Sequence, residues 1–368
     1  YTITQTVTGP GGTDTATQFV TVDPPVTAAF NVSSTTVAVG ENVTLINNST
    51  GAILSYEWDF GDGDTSTAAN PPAQTYAAVG TYTITLTVTG ASNTDTATQT
   101  ISVVNAPIAA FTVNPAIVGV NDLVTITNNS TGDIDTVSWD FADGGTSNVF
   151  APPPYEYATA GNYTIELTVS GPGGTSTTSQ FVQVVGPPTA NFTFTQVSTA
   201  TRRINFTNTS LVPGGSPTYA WDLDGDDLVD SNAMNPSFDY PAVGTYNVTL
   251  TVTGPGGTDT ITLPVPVVEA AFDAVPLTVA VNEPVDLTNT SGGPINNYDW
   301  DFGDGNTSNV ADPVSHTYTT QNTFTITLRV FSATGDFHEA TRTIDVLGPP
   351  DVRITVERNA ANRIEGQN

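Results

Sequence analysis

The chain of 368 residues contains no cysteine and no lysine. The first absence excludes disulfides, thiolate catalysis and cysteine-based zinc or iron–sulfur sites. It leaves the compartment open, because an oxidising space permits disulfides without requiring them. The second absence leaves seven arginines against 36 acidic residues, a net charge of −29. Five of the seven arginines, from Arg329 on, lie in the last 40 residues. Phosphate binding needs a cationic face, so a nucleic-acid partner is excluded and an anionic membrane surface is disfavoured. Charged residues of all kinds make up only 12%, about half the usual share. Thr, Ser, Asn and Gly must therefore cover most of the surface. No long apolar run occurs, so no membrane insertion is expected in this stretch. The natural small partner of such a surface is a hard cation, Ca²⁺ above all.

What the chain does have is a repeat. Its four tryptophans, Trp58, Trp139, Trp221 and Trp300, are spaced by 81, 82 and 79 residues, and each is followed by Asp. Phe30, Phe111, Phe192 and Phe272 keep the same period, and so does a Gly-Thr-Tyr-Thr-Ile-Thr-Leu-Thr-Val run that starts at Gly80 and returns at Gly161, Gly244 and, altered, Asn322. Over 81–89 Thr alternates with Tyr82, Ile84, Leu86 and Val88. Period-two alternation places the apolar set on one face and the threonines on the other. Gly, Pro, Asn and Asp punctuate every copy, and helical periodicity is absent. An all-β chain of antiparallel sandwiches follows, with the Trp in each core. Tyr82, Tyr163 and Tyr246 stand where a tyrosine corner would place them.

The Asp-rich segment after each Trp reads as a tight turn. It is Trp58-Asp59-Phe60-Gly61-Asp62-Gly63 in the first copy and Trp300-Asp301-Phe302-Gly303-Asp304-Gly305 in the fourth. Ala142 replaces the first Gly in the second copy, and the third carries an acidic loop instead. This motif, followed by an aromatic and the Gly-x-Tyr-x-Ile-x-Leu-x-Val strand, resembles the PKD (polycystic kidney disease) domain over residues 28–347. The family's His-x-Tyr pair survives as His316-Thr317-Tyr318, while Gln74, Tyr155 and Phe238 stand at the His position elsewhere, so a structural role is expected for His316. The resemblance implies Ig-like β-sandwich modules of about 80 residues, an extracellular or cell-surface location and no catalytic residues.

The expected modules are 28–107, 108–188, 189–268 and 269–348. Residues 1–27 read as the last strands of an incomplete module, because Tyr1 aligns with Tyr82 one period later. Residues 349–368 read as the first strand of a further one. Such ends are expected either from a window on a longer repetitive protein or from strand exchange between chains. Short Pro-containing junctions such as Asp23-Pro24-Pro25 and Gly186-Pro187-Pro188 favour a semi-rigid rod.

The strongest chemical motif lies in the third copy, from Asp222 to Asp230. Carboxylates of Asp222, Asp224, Asp226 and Asp230, with the Leu228 carbonyl, are spaced to converge on one Ca²⁺. Asp59, Asp62 and Asp64, and their counterparts Asp301 and Asp304, form weaker sets that turn chemistry explains. Because every acidic cluster sits on a repeated turn, an enzyme is not expected. Asn-x-Ser/Thr sequons are numerous, Asn48, Asn129, Asn208 and Asn289 among them. The sequence thus points to an extracellular structural protein: a stalk, fibre or surface-assembly component whose modules associate with copies of themselves through strand faces or edges. The alternative is a non-catalytic accessory array of a larger secreted hydrolase or adhesin, which engages extracellular polysaccharide or protein.

Overall fold

Alternating Thr and aliphatic residues cannot hide both faces, so each such strand needs a second sheet over its apolar side. The computed structural model describes residues 1–199 and 202–350. Among them every regular element is a β-strand, and no helix is long and apolar enough to cross a membrane. The chain forms two compact units, Tyr1–Val185 and Gly186 onward, each holding two hydrophobic cores.

The first unit opens with a hairpin of Thr2–Gly9 and Gly12–Phe19, closed by backbone bonds between Tyr1 and Val20. Its pairing of Ile3 with Gln18 and Gln5 with Ala16 repeats that of Ile84 with Gln99 and Leu86 with Ala97. The hairpin therefore has the pattern of a module's last two strands, but both of its faces are exposed. The first sandwich packs Phe30–Val32 and Leu45–Asn47 against a five-stranded sheet. In that sheet Thr36–Ala38 lies parallel to the end of Thr94–Val104, and Gly80–Gly90, Ile53–Asp59 and Thr65–Ser66 follow in antiparallel order. The second sandwich repeats this plan. Phe111–Asn114, Leu123–Asn128 and Tyr155–Glu156 face a sheet that runs from Ile117–Gly119 through Gly174–Val185, Gly161–Gly171 and Thr136–Asp140 to Thr146–Ser147.

In the second unit the fourth sandwich follows the same plan. Its larger sheet runs from Thr278–Ala280 through Phe337–Leu347, Asn322–Ser332 and Ile295–Asp301 to Thr307–Ser308. The third departs from it. Its sheets are Phe192–Gln196 with Arg203–Asn208 and Ser237–Asp239, and Thr218–Asp222 with Gly244–Gly254 and Gly257–Val267. Among the described residues no strand lies parallel to the end of Gly257–Val267. The joint that follows is also short. Phe111 comes eight residues after Val103 and Phe192 eight after Val184, whereas Phe272 comes five after Val267. The expected strand at 349–368 lies, from residue 351, outside the described residues.

All four cores are built on one aromatic pair. The tryptophans are fully buried, and each meets its Phe edge-on with centroids 5.0–5.1 Å apart. The indole N–H cannot be left bare in such a place. It donates to the carbonyl of Ala68, Val149, Ala233 or Val310 at 2.9–3.1 Å. Burying an aromatic and three aliphatic side chains, such as Trp58, Ile84, Leu86 and Val88, is worth roughly 1.5–3 kcal/mol each. That burial is the force that selects the sandwich.

Candidate functional site

The acidic turns were the chemical candidates, and their geometry divides them into two kinds. In the first kind, each carboxylate caps backbone amides inside its own turn. Asp59 accepts from Gly61 N–H at 2.9 Å and Asp62 from Asp64 N–H at 3.0 Å. Asp140 and Asp143, and Asp301 and Asp304, repeat this pair of bonds at 2.8–3.0 Å. The second carboxylate also receives a side-chain donor from across the sandwich. Gln74 donates to Asp62 at 3.2 Å, the Tyr155 hydroxyl to Asp143 at 2.9 Å, and His316 Nε2 lies 2.9 Å from Asp304. The expected structural role of His316 takes this form, with its ring stacked on Phe302 at 4.1 Å. Burial pushes the Asp304 carboxyl up, but bonds from His316 and Asn306 outweigh it and hold the group below the usual carboxylate range.

The third turn is of the second kind. The Trp221 indole reaches twelve residues ahead, where its sisters reach ten, so the loop is two residues longer. Gly225, at φ +82°, occupies the place of Gly61 and Gly303, which makes Asp224 an inserted residue and Asp226 the counterpart of Asp62. Asp222 accepts from Gly225 N–H at 2.7 Å and Asp227 N–H at 3.0 Å, and Asp226 from Leu228 N–H at 2.9 Å. Carboxylate oxygens of Asp222, Asp224 and Asp226 lie within 4.8 Å of one another. Asp230 does not join that group. It turns one oxygen to Leu223 N–H at 2.7 Å, where the sister turns use a backbone carbonyl. Leu228 is placed by its N–H, with an exposed side chain. The position that supplies the cross-sandwich donor elsewhere is Phe238, which has nothing to donate. Desolvation and the charges of Asp226, Asp230 and Asp222 raise the Asp224 carboxyl above its ordinary value.

Other residues that looked chemical are structural. Tyr82, Tyr163 and Tyr246 donate to the carbonyl four residues upstream, at 2.9–3.1 Å, as a tyrosine corner requires. A different tyrosine recurs in all four sandwiches: Tyr76, Tyr157, Tyr240 or Tyr318 is buried and donates to the carbonyl of Phe60, Phe141, Leu223 or Phe302. Burial pushes the Tyr76 hydroxyl up to about 12. His338 accepts from Ala270 N–H at 3.1 Å, a place held by Asp95, Ser176 and Asp259 in the other sandwiches. Sequence reasoning missed that role because two other residue types, Asp and Ser, fill it besides histidine. The sequons at Asn208 and Asn289, and the matching Asn-x-Ser frames at Asn47 and Asn128, also have a structural origin, each Asn side chain accepting from the serine N–H at 2.9 Å. The serines Ser49, Ser130, Ser210 and Ser291 tie the second strand to the carbonyls of Ala29, Ala110, Asn191 and Ala271.

The chain is similar, over part of its length, to proteins named as a metalloprotease and as collagenases. It is 38% identical over 102 residues to the pre-pro-metalloprotease PrtV of Vibrio cholerae, which covers 27% of this chain and 11% of that protein. A microbial collagenase of Vibrio alginolyticus is 47% identical over 68 residues, 17% of this chain and 8% of the collagenase. The chain thus spans about a tenth of the length of these curated relatives. The crystal structure of the PKD1 domain of PrtV is 40% identical and covers 21% of this chain and 95% of that one, with a TM-score of 0.19. The PKD domain description matches residues 22–105, 104–186, 185–268 and 264–346. Four matches in series follow the four buried Trp–Phe cores, and the chain belongs to the PKD domain family.

Proposed function

We propose that this chain is a non-catalytic spacer array of an extracellular protein, which sets the distance between other parts of that protein. One observation carries the reading: the repeated acidic turns spend their carboxylates on their own backbone amides, and in three of the four modules on a donor from across the sandwich. Groups committed in that way are not available to move protons on a substrate. The relatives support an accessory role, because their names belong to a metalloprotease and collagenases while the likeness covers only a small part of each. Purified chain should sediment as a monomer and leave gelatin and casein uncut. Cleavage of either would overturn the non-catalytic reading, and filaments or a lattice seen by electron microscopy would replace the spacer by a self-assembling fibre.

A second reading concerns the third module alone, where Asp222, Asp224 and Asp226 would hold Ca²⁺. An all-oxygen, all-carboxylate set suits a hard cation, and the side-chain donor that reaches the second carboxylate in the sister turns is replaced by Phe238. Bound calcium would draw the Asp224 carboxyl down from its raised position. Calorimetry on the whole chain should show one site in the range of about 10⁻⁴–10⁻³ M, typical of extracellular modules. Asp224→Asn should abolish that heat. An unchanged titration in this variant would reject the site.

A further inference from the structure

The joint between the third and fourth sandwiches is built differently from an ordinary linker. In the first, second and fourth sandwiches the chain after the first strand folds back onto its own last strand. Val39, Val120 and Val281 N–H donate to the carbonyls of Val104, Val185 and Leu347 at 3.0–3.2 Å. In the third sandwich the corresponding carbonyl, that of Val268, receives the Gln196 side-chain amide instead. The same amide oxygen accepts from Val268 N–H at 3.1 Å. A carboxamide carries the donor and acceptor of a peptide group, so Gln196, only 8% exposed, replaces the missing edge strand.

The backbone released by that substitution is used by the next sandwich. The Ser198 carbonyl accepts from Glu339 N–H at 2.8 Å, on the last strand of the fourth sandwich. Gln196 N–H donates to the Asp336 carboxylate at 3.2 Å, in the hairpin turn before that strand. Arg202 spans the same joint, donating to the Tyr240 carbonyl at 3.0 Å and to the Glu269 carboxylate at 2.7 Å. Val268 packs into the fourth core while its backbone closes the edge of the third. Gly292 and Gly293 lie against Val243, and a Cβ on Gly292 would stand 3.2 Å from the valine Cγ2.

We propose that the third and fourth sandwiches unfold as one cooperative block, a fused pair within an otherwise modular chain. The joint is three residues shorter than the others, so neither partner can be lost without stripping contacts from the other. If the third unfolds, the fourth loses Val268, the ion pair at Glu269 and the strand end at Glu339. If the fourth unfolds, the third loses the anchor that holds Gln196 and Ser198. Local unfolding free energies read by hydrogen exchange report such coupling directly.

The experiment is hydrogen exchange with mass spectrometry on the whole chain through a urea series. Peptides from the strands Gly244–Gly254 and Asn322–Ser332 should show one shared dependence on urea. A second chain carries Gly-Ser-Gly inserted between Val268 and Glu269, which restores the length of the other joints. In it the two sets should separate, each with a slope about half that of the fused pair, because slope scales with the surface exposed. Separate urea dependences in the unmodified chain would overturn the proposal, whether or not the inserted chain folds. A single shared transition in the inserted chain would also overturn it, since the joint would not be the cause.

Discussion

At the residue scale, one turn position carries two different solutions to the same backbone demand. Gly61, Gly225 and Gly303 adopt φ of +80° to +82°, and Ala142 adopts +66° in the second sandwich. A left-handed residue with a Cβ costs roughly 1 kcal/mol or more relative to glycine. Ala142→Gly should therefore stabilise the second sandwich by about 1 kcal/mol, partly offset by the freedom glycine gains in the unfolded chain. A rise in the urea midpoint of exchange for peptides from Gly161–Gly171 would measure it. Asp304 supplies a pH dependence of known sign. Its carboxyl titrates lower in the folded state than in the unfolded one, so it favours folding above the ordinary carboxylate range. That contribution is lost as pH falls through the unfolded value of about 3.9 and below it. In Asp304→Asn, which keeps an oxygen to accept from Asn306 N–H, the fourth sandwich should lose less stability between pH 5 and pH 2, on the order of the range set by that titration. An equal loss in both chains would remove Asp304 from the account.

At the scale of the element, legibility followed periodicity. The Gly80–Gly90 strand and its three relatives were readable because alternation fixes which side chains go inward, and the structure buries Ile84, Leu86 and Val88 accordingly. The Trp–Asp turns were readable because Gly and Asp there have local, chemical reasons to be present. The short parallel strands, such as Thr36–Ala38, were not, since three residues cannot display a period and their partners lie far along the chain. Gln196 was invisible for a similar reason. Gln196 follows Phe192 and Phe194 in the inward register of its strand, but only the absence of an edge strand makes it a peptide surrogate. In the acidic loop the convergence of Asp222, Asp224 and Asp226 was legible from spacing, but the diversion of Asp230 to Leu223 was not. The N-terminal hairpin yields its own prediction. A two-stranded ribbon is marginal by itself, and none of its residues enters the first core. Removing residues 1–21 should leave the urea dependence of Gly80–Gly90 peptides unchanged. A lowered midpoint would mean that the hairpin supports the first sandwich.

At the scale of the whole molecule, charge is the term that no single module balances. A net charge of −29 with no lysine makes every module repel its neighbours, and the described ion pairs of arginine with acid are few: Arg202 with Glu269, Arg203 with Asp239 and Arg329 with Glu339. Self-repulsion of this kind weakens the folded state and is relieved by screening. Raising NaCl from about 0.01 M to about 0.15 M shortens the Debye length from roughly 30 Å to roughly 8 Å. The thermal midpoint of the chain should rise over that interval. Calcium separates screening from binding. At matched ionic strength a purely screening cation would give the same rise, whereas a site at Asp222, Asp224 and Asp226 adds a further increment that saturates with calcium concentration. The increment should vanish in Asp224→Asn while the NaCl response stays. If the variant keeps the calcium increment, the ion acts on the charged surface as a whole and the acidic loop is only a longer turn.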